Sequence, residues 1–312
     1  MVSKREMMER TPEMEATYAS ADALFAVRLT RSFADRMNWE DPNDPLLLQV
    51  LPQSDELLDE GLSDPVGDAH QSPVPWIVRK HKDRILLLVT KQCHLHCRYC
   101  FRRTYDPSDK SHPSAGEWDT AIEYIKRERP NEVILSGGDP LTLSNRKLFQ
   151  VIDEVSPYCN VVRIHSRAPV TCPSRVDNAL VEGLKQRRPI WFVTHCNHVN
   201  ELNDEVKQAF RLIVDGGIPL LNQMVLLKKI NDSAETLQEL CDALVREGVA
   251  PYYLHHPDRV HGASHFYVEL EEGRRIYNEL RTLVSGISCP KYVVDPPDGR
   301  GKQPVMEWDG VG

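Results

Sequence analysis

The stretch 84-RILLLVTKQCHLHCRYCFRR-103 joins a short apolar run to three closely spaced cysteines and two arginines. The run at 84–90 has the length of a buried strand. Cys93, Cys97 and Cys100 follow it with the spacing Cys-x3-Cys-x2-Cys, which lets three thiolates converge on one site. Two cysteines would suffice for a disulfide, so the third indicates a metal with one coordination position left open.

Apolar runs of this kind recur beyond residue 84 and alternate with amphipathic segments. Strand–helix alternation implies parallel strands with helical crossovers, and six units favour an α/β fold with a partial (β/α)6 barrel. The helix after the fifth strand is expected to begin at N-cap Asp232 and to end at Gly248. The predicted strands are RILLLVT (84–90), EVILSGG (132–138), NVVRIHSRAP (160–169), IWFVTHCN (190–197), PLLNQMVLL (219–227) and APYYLHH (250–256).

The segments on either side of the predicted barrel differ from it in composition. Residues 1–50 are rich in Met, Ala, Glu and Arg and are interpreted as helices, and four prolines between Pro52 and Pro75 indicate an irregular strap. We therefore predict an N-terminal helical extension and strap at 1–83, a barrel at 84–286 and a C-terminal segment at 287–312.

Composition narrows the class of protein. The 312 residues carry a net charge of −8, so no global basic field would hold a nucleic acid. No run approaches the roughly 20 apolar residues that span a bilayer, and the N-terminus has no apolar signal-peptide core. The other five cysteines are scattered singly, as is typical of reduced thiols. These features predict a soluble, cytoplasmic protein with neither nucleic-acid nor membrane partners.

In a barrel of parallel strands, chemistry is expected at the carboxyl ends of the strands. The unusual residues of this sequence fall there and are expected to face one mouth. They are the three cysteines after the first strand, Gly137, Gly138 and Asp139 after the second, His165 and Arg167 at the third, His195 at the fourth, Gln223 on the fifth and Asp258 after the sixth.

The cysteine triplet has two interpretations. A zinc site could use His94 or His96 as its fourth ligand, but zinc ligands usually come in two separated pairs and no second pair exists here. The other interpretation is a [4Fe–4S] cluster with one open iron. The spacing, with aromatic Tyr99 before the last cysteine, resembles the signature of radical S-adenosylmethionine (SAM) enzymes, whose open iron binds SAM.

A second stretch, 136-SGGDP-140, is similar to the glycine-rich segment of that family. The resemblance implies that Ser136, Gly137, Gly138 and Asp139 contact SAM. By itself the stretch is also an ordinary turn. Its place one strand–helix unit after the cysteines supports the resemblance.

The tail 292-YVVDPPDGRGKQPV-305 resembles the segment of lysine 2,3-aminomutases whose lysine forms a Schiff base with pyridoxal phosphate, which assigns that role to Lys302. The resemblance covers residues 80 to 305. The stretch 24–56 is similar to a subgroup that makes β-lysine for elongation factor P, whereas the tail with Asp295 is more similar to the classical free-lysine aminomutases. The motifs that carry the resemblance to the lysine 2,3-aminomutase family are LLLVTKQCHLHCRYCFRR, EVILSGGDPL, RIHSRAPV, THCNHVNE, LLNQMVLL, PYYLHHPD and VVDPPDGRGKQPV.

The resemblance implies a role for each matching side chain. Arg102 is expected to bind the substrate carboxylate, and Asp258 and Asp295 to hold the ε-ammonium of lysine. Lys80 and His81 match positions near the cofactor phosphate, although His81 replaces a usual tyrosine. His195 and Gln223 match residues that line the SAM and pyridoxal phosphate sites.

The implied activity is conversion of L-lysine to β-lysine by 2,3-migration of the amino group. It uses a [4Fe–4S] cluster, SAM and pyridoxal phosphate, and needs a one-electron donor protein. A homo-oligomer and a downstream link to modification of elongation factor P remain open. Two alternatives also remain: the same chemistry on another cationic amino acid such as arginine, and a non-enzymatic iron–sulfur or zinc module that senses redox state or docks to a partner.

Overall fold

A nine-stranded sheet organises the chain, which the computed structural model describes at residues 1–12, 24–58, 61–104, 110–187 and 189–310. The strands lie in the order in which they occur along the chain, from β1 at one edge to β9 at the other. The strands are β1 (Ile77–Val78), β2 (Arg84–Thr90), β3 (Glu132–Gly137), β4 (Val161–His165), β5 (Ile190–His195), β6 (Leu220–Val225), β7 (Ala250–His255), β8 (Lys291–Val294) and β9 (Gln303–Pro304).

Strands β2 to β8 are all parallel, and the short β1 and β9 pair antiparallel at the two edges. The six predicted strands are confirmed as β2 to β7. The third was predicted to reach residue 169 but ends at His165, because a short helix begins at Ala168. Strand β8 is a seventh parallel strand that was not predicted.

The helices flank this sheet. Within residues 1–50, the α-helices whose bounds the structure describes are three short elements, and a 3-10 helix, Ser54–Leu58, follows in the strap. The helices are α1 (Lys4–Arg10), α2 (Arg31–Ala34), α3 (Pro45–Leu48), α4 (Ala115–Glu128), α5 (Asn145–Val155), α6 (Ala168–Thr171), α7 (Asn178–Lys185), α8 (Asp204–Asp215), α9 (Ala234–Arg246) and α10 (Leu270–Leu283).

The predicted start of α9 is wrong by one residue. Its N-cap is Ser233 rather than Asp232, because the Ser233 side chain accepts a hydrogen bond from the backbone N–H of Thr236. At the other end, Glu247 caps the helix and Gly248 follows at a φ of +74°. That is the left-handed conformation that glycine adopts most easily.

Alternation along the strands separates the core from the cavity. On β2, Ile85 and Leu87 are fully buried in the hydrophobic core, whereas Leu86 lines a cavity on the opposite face of the sheet. Strand β3 repeats this pattern, with Val133 in the core and Ile134 at the cavity. Successive strand residues point to opposite faces, so the outer face packs on helices and the inner face is left for chemistry.

No helix within the residues that the structure describes is long and apolar enough to cross a membrane.

Candidate active site

A cavity of about 370 Å³ opens at the carboxyl ends of the parallel strands. Its volume lies within the usual range for sites that bind small molecules. Every site residue predicted from the sequence lines it. These residues are Lys80, His81, Cys93, Cys97, Cys100, Arg102, Ser136, Gly137, Gly138, Asp139, His195, Gln223, Asp258, Asp295 and Lys302.

The three thiols lie together on one wall but have different neighbours. The Sγ atom of Cys97 accepts a hydrogen bond from Arg167 Nη1 at 2.7 Å, and the Cys100 thiol accepts one from the backbone N–H of Arg102. Burial raises the pKa of Cys93 well above its usual value, and Asp139 and the other two thiols add to this shift. Burial together with Cys97 raises the pKa of Cys100 to about 11. Three thiolates here therefore need a cation to offset their repulsion.

Within the described part of the chain, no group of three or more His, Cys, Asp or Glu side chains is arranged to hold a metal ion. His94 and His96, the candidate fourth zinc ligands, hydrogen-bond instead to the backbone carbonyls of Leu141 and Ala26 at 3.2 and 2.7 Å. The donor set does fit a three-cysteine iron–sulfur cluster by its chemistry. It offers three soft sulfur ligands on one loop, and Cys97 is close enough to both of the others to raise the pKa of Cys93 and of Cys100.

Two glycines join the cysteine loop to the end of β3. A Cβ at Gly137 would lie 2.1 Å from the carbonyl oxygen of Thr90, and one at Gly138 would lie 2.2 Å from that of Gln92. The backbone N–H of Gly138 donates to Thr90 O at 2.7 Å. The resemblance attributed these glycines to contact with SAM, but their close packing against the loop is a sufficient reason for having no side chain.

Asp139 is held by three donors. Its Oδ1 accepts hydrogen bonds from Ser166 Oγ at 2.6 Å and Leu141 N at 2.9 Å, and its Oδ2 accepts from Arg167 N at 3.0 Å. Burial raises the pKa of Asp139 despite these bonds. This carboxylate therefore ties β3 to the end of β4.

At the other end of the cavity, Asp295 lies between two ammonium groups. Its Oδ1 is 3.1 Å from Lys80 Nζ and its Oδ2 is 3.3 Å from Lys302 Nζ. Burial alone would raise the pKa of Asp295, but the charges of Lys302 and Lys80 more than offset it, and the pKa is lowered. Burial raises the pKa of Asp258 to about 7, and the charge of Asp295 adds to the rise. The positive charges of Lys302 and Lys80 therefore outweigh burial at Asp295 but not at Asp258.

Arg102 has a partner that the sequence did not reveal. Both Nη2 and Nε of Arg102 donate to Asp68 Oδ2, at 2.7 and 3.1 Å. Lys80 Nζ also donates to Val66 O at 2.7 Å and lies 3.6 Å from Asp68 Oδ1. Lys80 thus contacts two carboxylates and a carbonyl, an arrangement different from the phosphate contact that the resemblance implies. Asp68 lies in the irregular strap, where nothing in the sequence pattern singles it out.

Around Lys302 the cavity wall carries cationic and aromatic groups. Lys302 Nζ lies 6.0 Å from the centre of the Tyr253 ring. Two buried nitrogens, Arg163 Nε and His165 Nε2, have no hydrogen-bond partner among the residues that the structure describes. Arg84 lines the same wall. Buried polar nitrogens without partners point to a missing polar ligand, so this wall fits a phosphate-bearing aromatic cofactor such as pyridoxal phosphate.

His195 is engaged with the aromatic residue of the cysteine motif. Its Nε2 hydrogen-bonds to Tyr99 Oη at 3.0 Å, and the two rings stack with their centres 5.7 Å apart. Burial, with the charge of Arg167, lowers the pKa of His195 well below its usual value. A neutral His195 therefore braces the cysteine loop from the end of β5.

The cysteine loop is also anchored by a fully buried ionic triad. Glu56 Oε2 is 2.5 Å from both Arg98 Nη2 and Arg103 Nη2, and the side chains of Glu56 and Arg98 are entirely shielded from solvent. Glu56 belongs to a short 3-10 turn, Ser54–Leu58, in the strap. The strap thus contributes a structural anion to the loop, which the sequence analysis missed because Glu56 has no motif around it.

Comparison with known proteins covers most of the chain. It is 44% identical to the L-lysine 2,3-aminomutase of Escherichia coli over 292 residues, which is 92% of this chain and 85% of the relative. It is 40% identical to the L-lysine 2,3-aminomutase of Acetoanaerobium sticklandii over 301 residues, 95% of this chain and 73% of the relative. The radical SAM superfamily model matches residues 87–241.

Among solved structures, the fold is similar to that of Streptococcus suis SuiB bound to precursor peptide SuiA. The TM-score is 0.51 at 19% identity, over 66% of this chain and 46% of that chain. At this identity the likeness concerns the fold alone, and with the observed sheet it confirms the predicted α/β class and partial barrel. The relatives at 44% and 40% identity carry the family assignment. This chain belongs to the L-lysine 2,3-aminomutase family of radical SAM proteins.

Proposed function

We propose that this chain is an L-lysine 2,3-aminomutase, an isomerase that moves the α-amino group of L-lysine to C3 and forms β-lysine. One observation carries the proposal. A single cavity joins the three cysteines to Lys302, with Arg102 and the Asp258–Asp295 pair as groups of opposite charge. The relatives named above support the choice of reaction, because they bear this name over most of the chain.

The cysteine end is proposed to generate the radical. Cys93, Cys97 and Cys100 would hold a [4Fe–4S] cluster, which with SAM and one electron from a donor protein supplies the carbon radical chemistry. The interlocked backbones at Thr90 and Gly138 fix the cysteine loop against β3. The residues proposed to contact SAM are Ser136, Gly137, Gly138, Asp139, His195 and Gln223.

The Lys302 end is proposed to hold pyridoxal phosphate, which supplies an electron sink for the reacting carbon atoms. Lys302 would bind it covalently. Asp295 Oδ2, 3.3 Å from Lys302 Nζ, holds the ammonium in place. Arg84 and the unpartnered Arg163 Nε would bind the phosphate, in place of Lys80. His81 packs against Gly301, where a Cβ would lie 2.4 Å from its ring, and is proposed to flank the cofactor.

Substrate choice is proposed to rest on charge at both ends of the amino acid. Arg102 would bind the carboxylate, with its orientation fixed by Asp68 along one edge of the guanidinium. Burial raises the pKa of Asp258 and repulsion from Asp295 adds to the rise, and an ammonium between the two carboxylates would offset both. A substrate with a carboxylate side chain would add to that repulsion instead and is excluded on this ground.

The test is an anaerobic assay of the reconstituted protein with L-lysine, SAM, pyridoxal phosphate and dithionite, in which the β-amino acid is separated by chromatography. L-arginine, L-ornithine and L-glutamate serve as the substrate panel, and Lys302→Ala is the matched inactive control. We expect β-lysine from lysine and no turnover of glutamate. Turnover of arginine in preference to lysine would favour the rival substrate, and absence of any β-amino acid product would overturn the proposal.

The non-enzymatic alternative makes a different prediction. A redox-sensing or docking module has no need of pyridoxal phosphate, so borohydride reduction would leave no label on Lys302. We further propose a cytoplasmic enzyme, with the product destined for elongation factor P modification on the basis of the stretch 24–56. Mass spectrometry of elongation factor P from cells with and without the protein tests that fate.

A further inference from the structure

Arg167 connects a cluster cysteine to a buried polar network. It lies between β4 and α6, and its side chain is 9% exposed. One terminal nitrogen, Nη1, donates to Cys97 Sγ at 2.7 Å. The other, Nη2, donates to Gln49 Oε1 at 2.7 Å and to Glu201 Oε2 at 2.9 Å. The guanidinium thus spans the space between one sulfur and one carboxylate.

The position of this guanidinium is fixed from several sides. Glu201 is fully buried and accepts from Gln49 Nε2 at 3.2 Å, so both acceptors of Nη2 are themselves tied together. The backbone N–H of Arg167 is held by Asp139 Oδ2. Arg167 is held both at its backbone N–H and at its guanidinium group. It can move away from the Cys97 sulfur only if these contacts break, so it has little freedom to do so.

The three cysteine sulfurs therefore have unequal surroundings among the described residues. Cys97 receives a hydrogen bond from a cationic side chain, whereas Cys100 receives one from a neutral backbone N–H. Hydrogen bonds to the ligating sulfurs and local net charge are among the factors that set the reduction potential of an iron–sulfur cluster. A charged donor stabilises the more negative, reduced cluster more than the oxidised one.

We propose that Arg167 is a positioning residue that raises the reduction potential of the cluster through its hydrogen bond to Cys97 and so allows a physiological one-electron donor to reduce it. The inference rests on the proposed function, because it requires the [4Fe–4S] cluster. In the step concerned, one electron passes from the donor, a one-electron donor protein or dithionite, to the cluster. Arg167 takes up neither the electron nor a proton, and Glu201 and Gln49 hold it in place.

The experiment measures the midpoint potential of the reconstituted cluster by redox titration followed by electron paramagnetic resonance, in the absence of SAM. Omitting SAM removes any effect of Arg167 on SAM binding. Arg167→Gln is expected to shift the potential to a more negative value with iron content unchanged. Arg167→Lys keeps the charge but loses the planar fork, so its shift should be smaller in the same direction. This variant also provides the test if Arg167→Gln does not fold.

Arg36→Gln is the matched control. Arg36 packs over the same Phe33 ring as Arg167, at 4.9 against 5.6 Å, and donates to Val170 O at 2.6 Å and to the main-chain carbonyl of Glu201. Arg36→Gln therefore removes a partly buried charge from the same network but none of the contacts that Arg167 makes with Cys97 and the Glu201 carboxylate. An equal shift in Arg36→Gln, or no shift in either Arg167 variant with the cluster intact, would overturn the inference. A parent protein that binds no iron would overturn the proposed function and this inference together.

A second readout separates tuning from structural damage. If Arg167 acts on the potential, the turnover of Arg167→Gln should fall much further with a weak reductant than with a strong one. A structural role predicts the same fractional loss with both. Equal losses would therefore contradict the inference even if the potential were difficult to measure.

Discussion

The two ends of the cavity are built in different ways. At the cysteine end, the side chains of Glu56 and Arg98 are fully buried, in contact at 2.5 Å. At the other end, the side chain of Lys302 is 33% exposed and lies 3.3 Å from Asp295. A buried ion pair is costly to rearrange, whereas a partly exposed one exchanges partners readily. The first end is suited to a group that stays bound, and the second to ligands that arrive and leave in each turnover.

The largest expected effect tests whether the two ends are separate. Cys97→Ala should abolish the binding of about four irons per chain, because one of three ligands is lost, and should leave pyridoxal phosphate binding intact. Lys302→Ala should abolish the covalent binding of pyridoxal phosphate and leave the iron content unchanged. Iron analysis and borohydride-trapped cofactor, measured on both variants, give the result. Loss of both groups in either variant would mean that the ends fold as one unit.

The next effect concerns the rigidity of the cysteine end. Glu56→Gln leaves two buried arginines without their anion and should lower the free energy of unfolding by about 3–5 kcal/mol. Urea denaturation of the protein measures it. The control is Glu128→Gln, since the side chains of Glu128 and Arg79 are 25% and 20% exposed and an ion pair in contact with solvent contributes much less to stability than a buried one. Equal losses would remove the contrast between the two kinds of ion pair.

A smaller effect is expected at the exchangeable end. Asp258→Asn and Asp295→Asn each remove one charge from the proposed ammonium site with little change of shape. A charge-assisted hydrogen bond contributes about 1.5–3 kcal/mol, so kcat/KM for lysine should fall roughly 10- to 150-fold in each. The double variant should lose less than the sum, because both groups bind one ammonium. Parental kinetics in both single variants would contradict the proposed site.

The smallest effect is a pH dependence. Asp258, with its pKa raised to about 7, is charged above that pH and neutral below it. Lysine binding needs the charged form, so kcat/KM should fall by up to about tenfold per pH unit below 7. His255, whose pKa burial lowers to about 3, stays neutral throughout and adds nothing to this profile. Asp258→Asn should remove the dependence, and a profile unchanged in that variant would assign it to another group.

Much of the barrel could be predicted from the sequence because its strands are long apolar runs between amphipathic helices. Strand β8 escaped prediction, since its four residues, KYVV, are followed by a turn-rich segment that dominates the local pattern. Its neighbour β7 supplies the hydrogen bonds that make it a strand. Pairing across the sheet, rather than local sequence, decides such a short element.

The residues of the site could be predicted where their spacing along the sequence forms a motif. They could not be predicted where they enter the site as ion-pair partners of distant residues. The cysteines and glycines stand in recognisable patterns, and the structure places them at the cavity. Asp68 and Glu56 come from the irregular strap and meet their arginines only through the fold. The contacts of Lys80 could not be predicted for the same reason. Its position in a basic run suggests binding of an anion such as phosphate, whereas in the structure it contacts two carboxylates and a carbonyl.

The close approach of Gly137 and Gly138 to the cysteine loop also limits how this enzyme can be re-engineered. A side chain at either position would collide with main-chain atoms, which cannot be moved aside by choosing smaller neighbours. A mutational library aimed at new substrates should therefore leave Gly137 and Gly138 unchanged. Asp258 and Asp295 line the same cavity and already carry side chains there. Substitutions at those two positions change no residue of the cysteine loop.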